Sequence, residues 1–303
     1  MKKLSILVTG GAGFVGSHIV DTYISAGHNV AIVDNLSTGN PSNINPKAKF
    51  FNVDIRDLAS LSAVFSEVKP DVVNHQAALA SVTGSGSNPT ETYEVNVNGT
   101  INVLLAAAPY IKKFIFASSG GALHAKPSRF PTSEKEKETP ISAYGFSKKI
   151  AEEAVIFYSK INGFDYTILR PANIFGSRQR SSSEGGVVAI FAKLAVEGAV
   201  PTIFGKKVTR DYVYVSDIAS ANVLALSKGK NEIINLSTGK ETSNCALYEL
   251  IADIFSWKSF PKIEAARSGE VVRSCLSPLK AKKVLGWRPL VDLSKGISLL
   301  RSN

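Results

Sequence analysis

The chain has 303 residues, 44% of them hydrophobic and 20% charged, with 35 Lys and Arg against 25 Asp and Glu for a net charge of +10. That length suits one large domain or two modest ones and can bury a substantial core, and no apolar stretch is long enough to span a bilayer. Two cysteines, Cys245 and Cys275, and four scattered histidines, His18, His28, His75 and His124, make no metal-ligand pattern, so no metal is expected.

Strand-like and helix-like segments alternate, which is the signature of a parallel sheet covered on both faces. An apolar strand over residues 4–8 runs into the turn Thr9-Gly10-Gly11-Ala12-Gly13-Phe14-Val15-Gly16 and a helix over 14–26 that Gly27 stops. A helix N-terminus presents unpaired N–H groups and a partial positive charge to a pyrophosphate, and glycine lets the phosphates approach the backbone. A second strand, 29–33, ends at Asp34, at the spacing where an acid meets the adenosine ribose of a dinucleotide. A polar loop to residue 46 precedes a strand over 49–53, an amphipathic helix over 58–68 and a buried strand over 71–75. The small, glycine-containing stretch 80–88 reads as a mobile loop. A long helix is predicted from 89 to 108, a fifth strand over 113–117, a helix over 142–162 and a sixth strand over 166–169.

Beyond Pro171 the alternation weakens. Residues 177–186 read as polar and flexible, 190–197 as helix and 212–215 as a short strand, with Asp217 a candidate N-cap for a helix through 227. Residues 233–236 return a strand to the main sheet, and 279–285 form a short helix. The mixed-charge run Ser133-Glu134-Lys135-Glu136-Lys137-Glu138 reads as an exposed loop. The expected fold is α/β, a Rossmann-type doubly wound parallel sheet with a smaller mixed α/β domain. Residues 1–170, with 213–236 returning to them, would bind the dinucleotide; 171–212 and 237–303 would form the second domain. The first strand begins almost at Met1 rather than after a signal peptide, and with free thiols this points to a reducing cytoplasm. Residues 257–303 carry ten Lys and Arg against three acids. That excess suits an anionic small substrate or a solvated basic face; without aromatic interleaving or a recognised module, nucleic acid is not an expected partner.

The second informative motif is Tyr144-Gly145-Phe146-Ser147-Lys148. Residues four apart share a helix face, so the phenol and the ammonium project together. A tyrosine with an ordinary pKa near ~10 is a poor base at neutral pH, and a nearby cation favours its phenolate. The strand before it ends in Ser118-Ser119-Gly120-Gly121, where a hydroxyl could bond the same reacting oxygen. Each feature alone has an ordinary explanation, as an exposed helix pair or as turn residues. Together they meet at the carboxyl end of a parallel sheet, where ligands bind.

These motifs resemble the extended short-chain dehydrogenase/reductase superfamily, and within it the UDP-glucose 4-epimerase branch of nucleotide-sugar enzymes. The matches continue through Val33 to Gly39, Asp54-Ile55-Arg56-Asp57, His75-Gln76-Ala77-Ala78, Asn96 to Thr100, Arg170 to Gly176, Arg210 to Ala219, Asn235 to Gly239 and Arg267-Ser268-Gly269-Glu270. The resemblance implies a bound NAD cradled by Gly10, Gly13, Phe14, Val15 and Gly16. Asp34 would take both ribose hydroxyls, and Asn35 with no arginine following favours NAD over its 2'-phosphorylated form. Ser37, Thr38 and Gly39 complete that loop, Asp54 and Ile55 meet the adenine, Ala77 and Ala78 let the backbone approach, and Pro171 also borders the cofactor. Asn96 would steady the active-site helix. Ser119, Tyr144, Asn173, Val187, Arg210 and Arg267 would meet the nucleotide sugar, the two arginines gripping its diphosphate.

The reaction implied is epimerisation at C4 through a transient ketone, with Tyr144 as proton acceptor, Lys148 on the nicotinamide ribose and Ser119 (or else Ser118) on the C4 oxygen. A dehydratase would need an Asp-Glu pair, and a decarboxylase a Glu, where Gly120 and Gly121 stand. A reductase of the same superfamily remains the enzymatic alternative; a non-catalytic dinucleotide sensor commonly lacks the Tyr/Lys pair. One departure is Leu123-His124-Ala125 in place of an aromatic-glycine pair, which makes His124 either part of the sugar wall or a loop histidine. The helices over 89–108 and 142–162 would pair with their mates in a homodimer.

Overall fold

The computed structural model describes residues 2–181, 186–266 and 271–301. Seven parallel strands form the main sheet: β1 (Ser5–Thr9), β2 (Asn29–Val33), β3 (Lys49–Phe51), β4 (Val72–His75), β5 (Lys113–Ala117), β6 (Asp165–Pro171) and Glu232–Leu236. From one edge the order is Glu232–Leu236, β6, β5, β4, β1, β2, β3. The order reverses between β4 and β1, and a crevice opens at the carboxyl ends there.

Period-two alternation sends β1 side chains to both faces. Ile6 and Val8 pack with Ile19, Val20 and Tyr23 of α1 (Phe14–Ser25). Leu7 packs on the other face with Leu61 and Phe65 of α2 (Leu58–Val68). Burial of both faces is why these strands read as continuous apolar runs. The chain between β4 and β5 forms α3 (Val82–Ser87), α4 (Pro89–Tyr93), a π turn over Glu94–Asn98 and α5 (Gly99–Ala107). After β5 come the short α6 (Gly120–Leu123) and α7 (Ala143–Asn162). Ser142 caps α7 by accepting the Gly145 N–H at 3.1 Å, and Gly163 ends it in the left-handed region.

The helices α8 (Val187–Glu197), α9 (Val215–Ala225), α10 (Asn244–Phe255), α11 (Leu279–Leu285) and α12 (Leu293–Arg301) follow. α9 covers the sheet beside α1. α8, α10 and α12 enclose a separate core of Phe175, Phe191, Ile203, Tyr212, Leu247, Ile251, Trp257 and Ile297. α11, placed on sequence grounds in the second domain, belongs to the first core: Leu276, Ala281, Leu285 and Trp287 pack with the main sheet and α9.

Several local expectations are corrected. Residues 80–88 are not an open loop. They hold α3, whose N-terminus is capped by Ser81 Oγ accepting from Gly84 N at 2.8 Å. The helix expected over 89–108 is interrupted by the π turn. Asp217 is no N-cap, because α9 begins at Val215; its Oδ2 accepts the Leu290 and Val291 N–H groups, both at 3.0 Å, and so ties the C-terminal segment to α9. In the run 133–138 the lysines face solvent while the glutamates turn inward. Glu134 accepts from Asn235 N at 2.8 Å and so covers the edge strand, Glu136 accepts from Ser128 N at 2.7 Å, and Glu138 reaches Arg170. Of the stretch expected to be flexible, residues 182–185 lie outside the described residues. Its start is tied to α1: Arg178 pairs with Asp21 at 2.8 Å, and the His18 ring contacts the Ser177 carbonyl at 3.0 Å. Among the described residues no helix is long and apolar enough to cross a membrane.

Candidate active site

A cleft of about 1380 Å³ runs across the carboxyl ends of β1, β2, β4, β5 and β6 and continues between the two cores. Its first wall is the glycine turn. Gly10 has φ +68° and its amide bonds the Val33 carbonyl at 2.8 Å, which ties the turn to the end of β2. A Cβ on Gly16 would lie 2.1 Å from the Gly10 carbonyl oxygen, so only glycine lets α1 start this close to β1. α1 has no side-chain cap, and Gly13, Phe14, Val15 and Gly16 line the cleft. An uncapped helix terminus with this cradle fits a dinucleotide pyrophosphate.

Asp34 is buried at the end of β2, where one oxygen accepts from Ala12 N at 3.0 Å and the other from Leu36 N at 2.8 Å. These bonds aim the carboxylate along the cleft wall. Asn35 donates to Asp54 at 2.8 Å, and Arg56 forks onto Asp54 at 3.0 and 2.7 Å, holding that carboxyl down at about 2. Ser37, Thr38, Ile55, Ala77 and Ala78 complete this end of the cleft. Gly39 is not on the wall: it packs against Asp34, where a Cβ would come 2.8 Å from the carboxylate, and Asn40 lines the cleft instead.

The reactive pair lies deeper. Tyr144 and Lys148 share the inward face of α7, both buried. The Ser119 hydroxyl lies beside the Tyr144 phenol, where it favours the ionised form, whereas Ser118 Oγ is enclosed without a hydrogen-bond partner. Both serines border the cleft, and Ser119 is the one beside the phenol. Lys148 Nζ donates to the Ala117 carbonyl at 2.8 Å and sits 4.8 Å from the centre of the Phe116 ring. His75 stacks on Phe116, and its ring nitrogens contact Thr9 Oγ1 at 2.6 Å and Thr100 Oγ1 at 2.9 Å. Burial, then the Lys148 charge, pushes His75 down to about 3, so it is neutral. The expected lowering needs the nicotinamide charge beside Lys148, and in the protein alone the phenol stands on the other side of its ordinary value. Burial raises the phenol above its ordinary value, and Ser119 only partly opposes this.

Asn96, expected at the cofactor, is not on the cleft wall. It is buried in the π turn between Leu79 and Ser147, in the supporting position the sequence suggested. Pro171, Asn173, Val187 and Arg210 line the far half of the cleft. Arg267 lies outside the described residues. His124 is buried behind the wall, its Nδ1 3.3 Å from the Lys137 carbonyl, and is not part of the cleft lining. Burial and the nearby Arg170 lower its pKa.

Sequence reading missed other groups. Arg178, Gln179 and Arg180 line the cleft beside the Asp34 loop. Ser85 of α3 accepts the Tyr144 N–H at 3.1 Å, and its only signal was the Ser81 cap three residues before Gly84. Ser274 stands over Gly121, where a Cβ would meet its hydroxyl at 2.9 Å.

Comparison with known proteins agrees with this geometry. The family profile described as "NAD dependent epimerase/dehydratase family" matches residues 6–237. The UDP-glucose 4-epimerase of Mycolicibacterium smegmatis is 38% identical over 300 residues, covering 96% of each chain. The solved UDP-glucose 4-epimerase of Thermotoga maritima with UDP-glucose is 42% identical with a TM-score of 0.96, covering 98% of this chain and 97% of that one. The Thermus thermophilus UDP-glucose 4-epimerase complex with NAD is 38% identical with a TM-score of 0.94, at the same coverage of 98% and 97%. With a dinucleotide cradle, a Ser-Tyr-Lys centre and a family match over most of its length, the chain belongs to the NAD dependent epimerase/dehydratase family.

Proposed function

We propose that this chain is an NAD-dependent epimerase that interconverts nucleotide sugars at C4, of the UDP-glucose/UDP-galactose type, through a transient 4-keto sugar. The observation that carries the reading is the convergence of Ser119, Tyr144 and a buried Lys148 on one wall of the cleft that also holds the dinucleotide cradle. When bound, NAD supplies the reversible two-electron oxidation at the sugar C4. Tyr144 takes the proton from the C4 hydroxyl and returns it, while Ser119 bonds the C4 oxygen. Lys148 supplies the positive charge that favours phenolate. Burial raises the free phenol, so the charge it needs must gather at this centre as the cleft fills. Gly10, Gly13 and Gly16 hold the pyrophosphate, and Asp34 the adenosine ribose. Asn173, Val187 and Arg210, with Arg267, hold the nucleotide end of the substrate, which leaves the sugar free to turn over between the two half-reactions.

Gly120 and Gly121 favour this reading over dehydration or decarboxylation, because no carboxyl group stands beside the Ser119 hydroxyl at those positions. The test is incubation with UDP-galactose without added NAD, products being separated by chromatography. UDP-glucose should form, and Tyr144→Phe should slow turnover by about 10³-fold. A net absorbance change at 340 nm would instead mean a reductase.

The second core supports assigning the nucleotide-sugar domain to the segments around α8, α10 and α12. Exposed Phe146, Phe157 and Ile161 on α7, with Leu105 on α5, support a homodimer formed by helix pairing. Sedimentation at twice the chain mass, lost on Phe157→Glu, checks it. Free Cys245 and Cys275 support a cytoplasmic setting.

A further inference from the structure

Glu152 lies one turn beyond Lys148 on α7, so the two side chains share the face turned toward the sheet. Each is 3% exposed. Arg170 of β6 grips the Glu152 carboxylate through Nε at 2.8 Å and Nη2 at 2.5 Å, and the same Nη2 reaches Glu138 at 2.7 Å. One guanidinium thus faces two carboxylates, and the trio carries one net negative charge beneath a single buried ammonium. An ion group this deep is costly unless the charges balance. With Lys148 counted, they do.

Among the described residues, titratable groups and backbone reach Lys148 from its own helix, the sheet and one loop. Tyr144 and Glu152 share its helix, and β4 offers His75, which is neutral. β5 offers the Ala117 carbonyl and the Phe116 ring. Arg170 from β6 and Glu138 from the preceding loop stand behind Glu152. Glu152 is therefore the one carboxylate placed to act on the ammonium.

We propose that Glu152, whose charge Arg170 shares with Glu138, is the buried counter-ion that keeps Lys148 charged at the floor of the cleft, and so acts as a positioning residue for the reaction. Desolvation drives the Lys148 ammonium down to about 8, and the Glu152 charge opposes it. Without that charge Lys148 would lose its proton near neutral pH, where the reaction needs it. The inference rests on the reading of Lys148 as the cation that serves Tyr144.

The test is an NMR titration of the protein carrying its own nucleotide, with ¹³Cε-labelled lysine and the Lys148 signal assigned by its loss in Lys148→Met. In Glu152→Gln the Lys148 midpoint should fall by about one pH unit, and the alkaline limb of kcat/KM should move the same way. Glu152→Asp keeps the charge and should hold the wild-type midpoint. Arg170→Met removes the positive charge that competes with Lys148 for the two carboxylates and should raise it. A general loss of packing cannot give these opposite signs. An unmoved midpoint in Glu152→Gln, or a lowered one in Arg170→Met, overturns the proposal. If Glu152→Gln does not accumulate folded, Arg170→Met decides the matter by the direction of its midpoint. If the midpoints move as expected while Lys148→Met turns over at the wild-type rate, the counter-ion stands and the catalytic reading of Lys148 fails.

Discussion

The Asn96 side chain bridges the end of β4 to the active-site helix. Its Nδ2 donates to Ser147 Oγ and to the Leu79 carbonyl, both at 3.0 Å, while its Oδ1 accepts the Leu79 N–H at 2.8 Å. Ser147 in turn donates to the Tyr144 carbonyl at 2.8 Å. The π turn that carries Asn96 is a local irregularity of the kind that gathers at functional sites. Replacing Asn96 with Ala strips the partly buried Leu79 amide of its acceptor and loosens α7 beneath Tyr144. The expected cost is about 2–3 kcal/mol of stability, read by urea unfolding. Turnover should fall with little change in KM. Unaltered unfolding and turnover would show that the bridge does nothing.

The glycine cradle makes a sharper prediction. In Gly16→Ala the new methyl would meet the Gly10 carbonyl oxygen at 2.1 Å, and that partner is backbone that cannot rotate away. The turn between β1 and α1 must open, which pulls the N–H groups of α1 off the pyrophosphate position. Nucleotide released by acid from the purified protein should drop to a trace. Refilling by added NAD should need at least about 100-fold more than wild type, a loss of ~2.7 kcal/mol. Wild-type nucleotide content in this variant would remove the cradle from the cofactor site.

Why these two sites differ in legibility is a matter of range. The cradle is local in chain order: strand, glycines and helix start are contiguous, and Gly13 and Gly16 both press on the Gly10 carbonyl a few residues before them. Tyr144 and Lys148 were legible because a helix repeats every 3.6 residues. The strands were legible because burial of both faces leaves apolar runs. The supporting structure is written in long-range pairs that no spacing announces. Arg170 meets Glu138 and Glu152 from 32 and 18 residues away, and Asp217 meets its partners from 73 and 74. Residues 80–88 misled for a different reason. Gly84 and Gly86 have poor helix propensity, and α3 is held instead by the Ser81 cap and by Ser85 against Tyr144. The burial that raises the free Tyr144 phenol was not legible either, since it depends on everything packed around the side chain.

Asp217 offers a test of stability that does not touch the cleft chemistry. Its Oδ2 takes both the Leu290 and Val291 N–H groups, and its burial raises the carboxyl above the usual range. Because the folded pKa lies above the unfolded one, the folded state holds its proton longer. The charge therefore works against folding once pH rises past the unfolded value. Asp217→Asn retains an oxygen acceptor and sheds that charge, so it should cost about 1 kcal/mol or less. Asp217→Ala leaves both amides without their acceptor and should cost about 2–4 kcal/mol. Equal urea midpoints for the two variants would mean the C-terminal segment is held by packing alone.

The two thiols should separate cleanly by reactivity. Cys275 is buried beside Asp211, with Sγ 3.8 Å from Oδ2, and burial together with that carboxylate pushes its pKa up to about 12. A thiol reacts through its thiolate, so at pH 8 only about one Cys275 in 10⁴ is in the reactive form, and it is sheltered as well. Raising the pH from 7 to 9 leaves Cys275 neutral, because its ionisation lies far above that window. Cys245, partly exposed on α10, has no such shelter. A colorimetric thiol reagent should therefore titrate one equivalent in the native protein across that range and the second only in denaturant. Cys245→Ser should abolish the fast equivalent and leave the slow one. Two fast equivalents in the native wild type would mean that the segment carrying Cys275, which also hydrogen-bonds Asp211 through Leu276 N at 3.4 Å, opens far more readily than its packing implies.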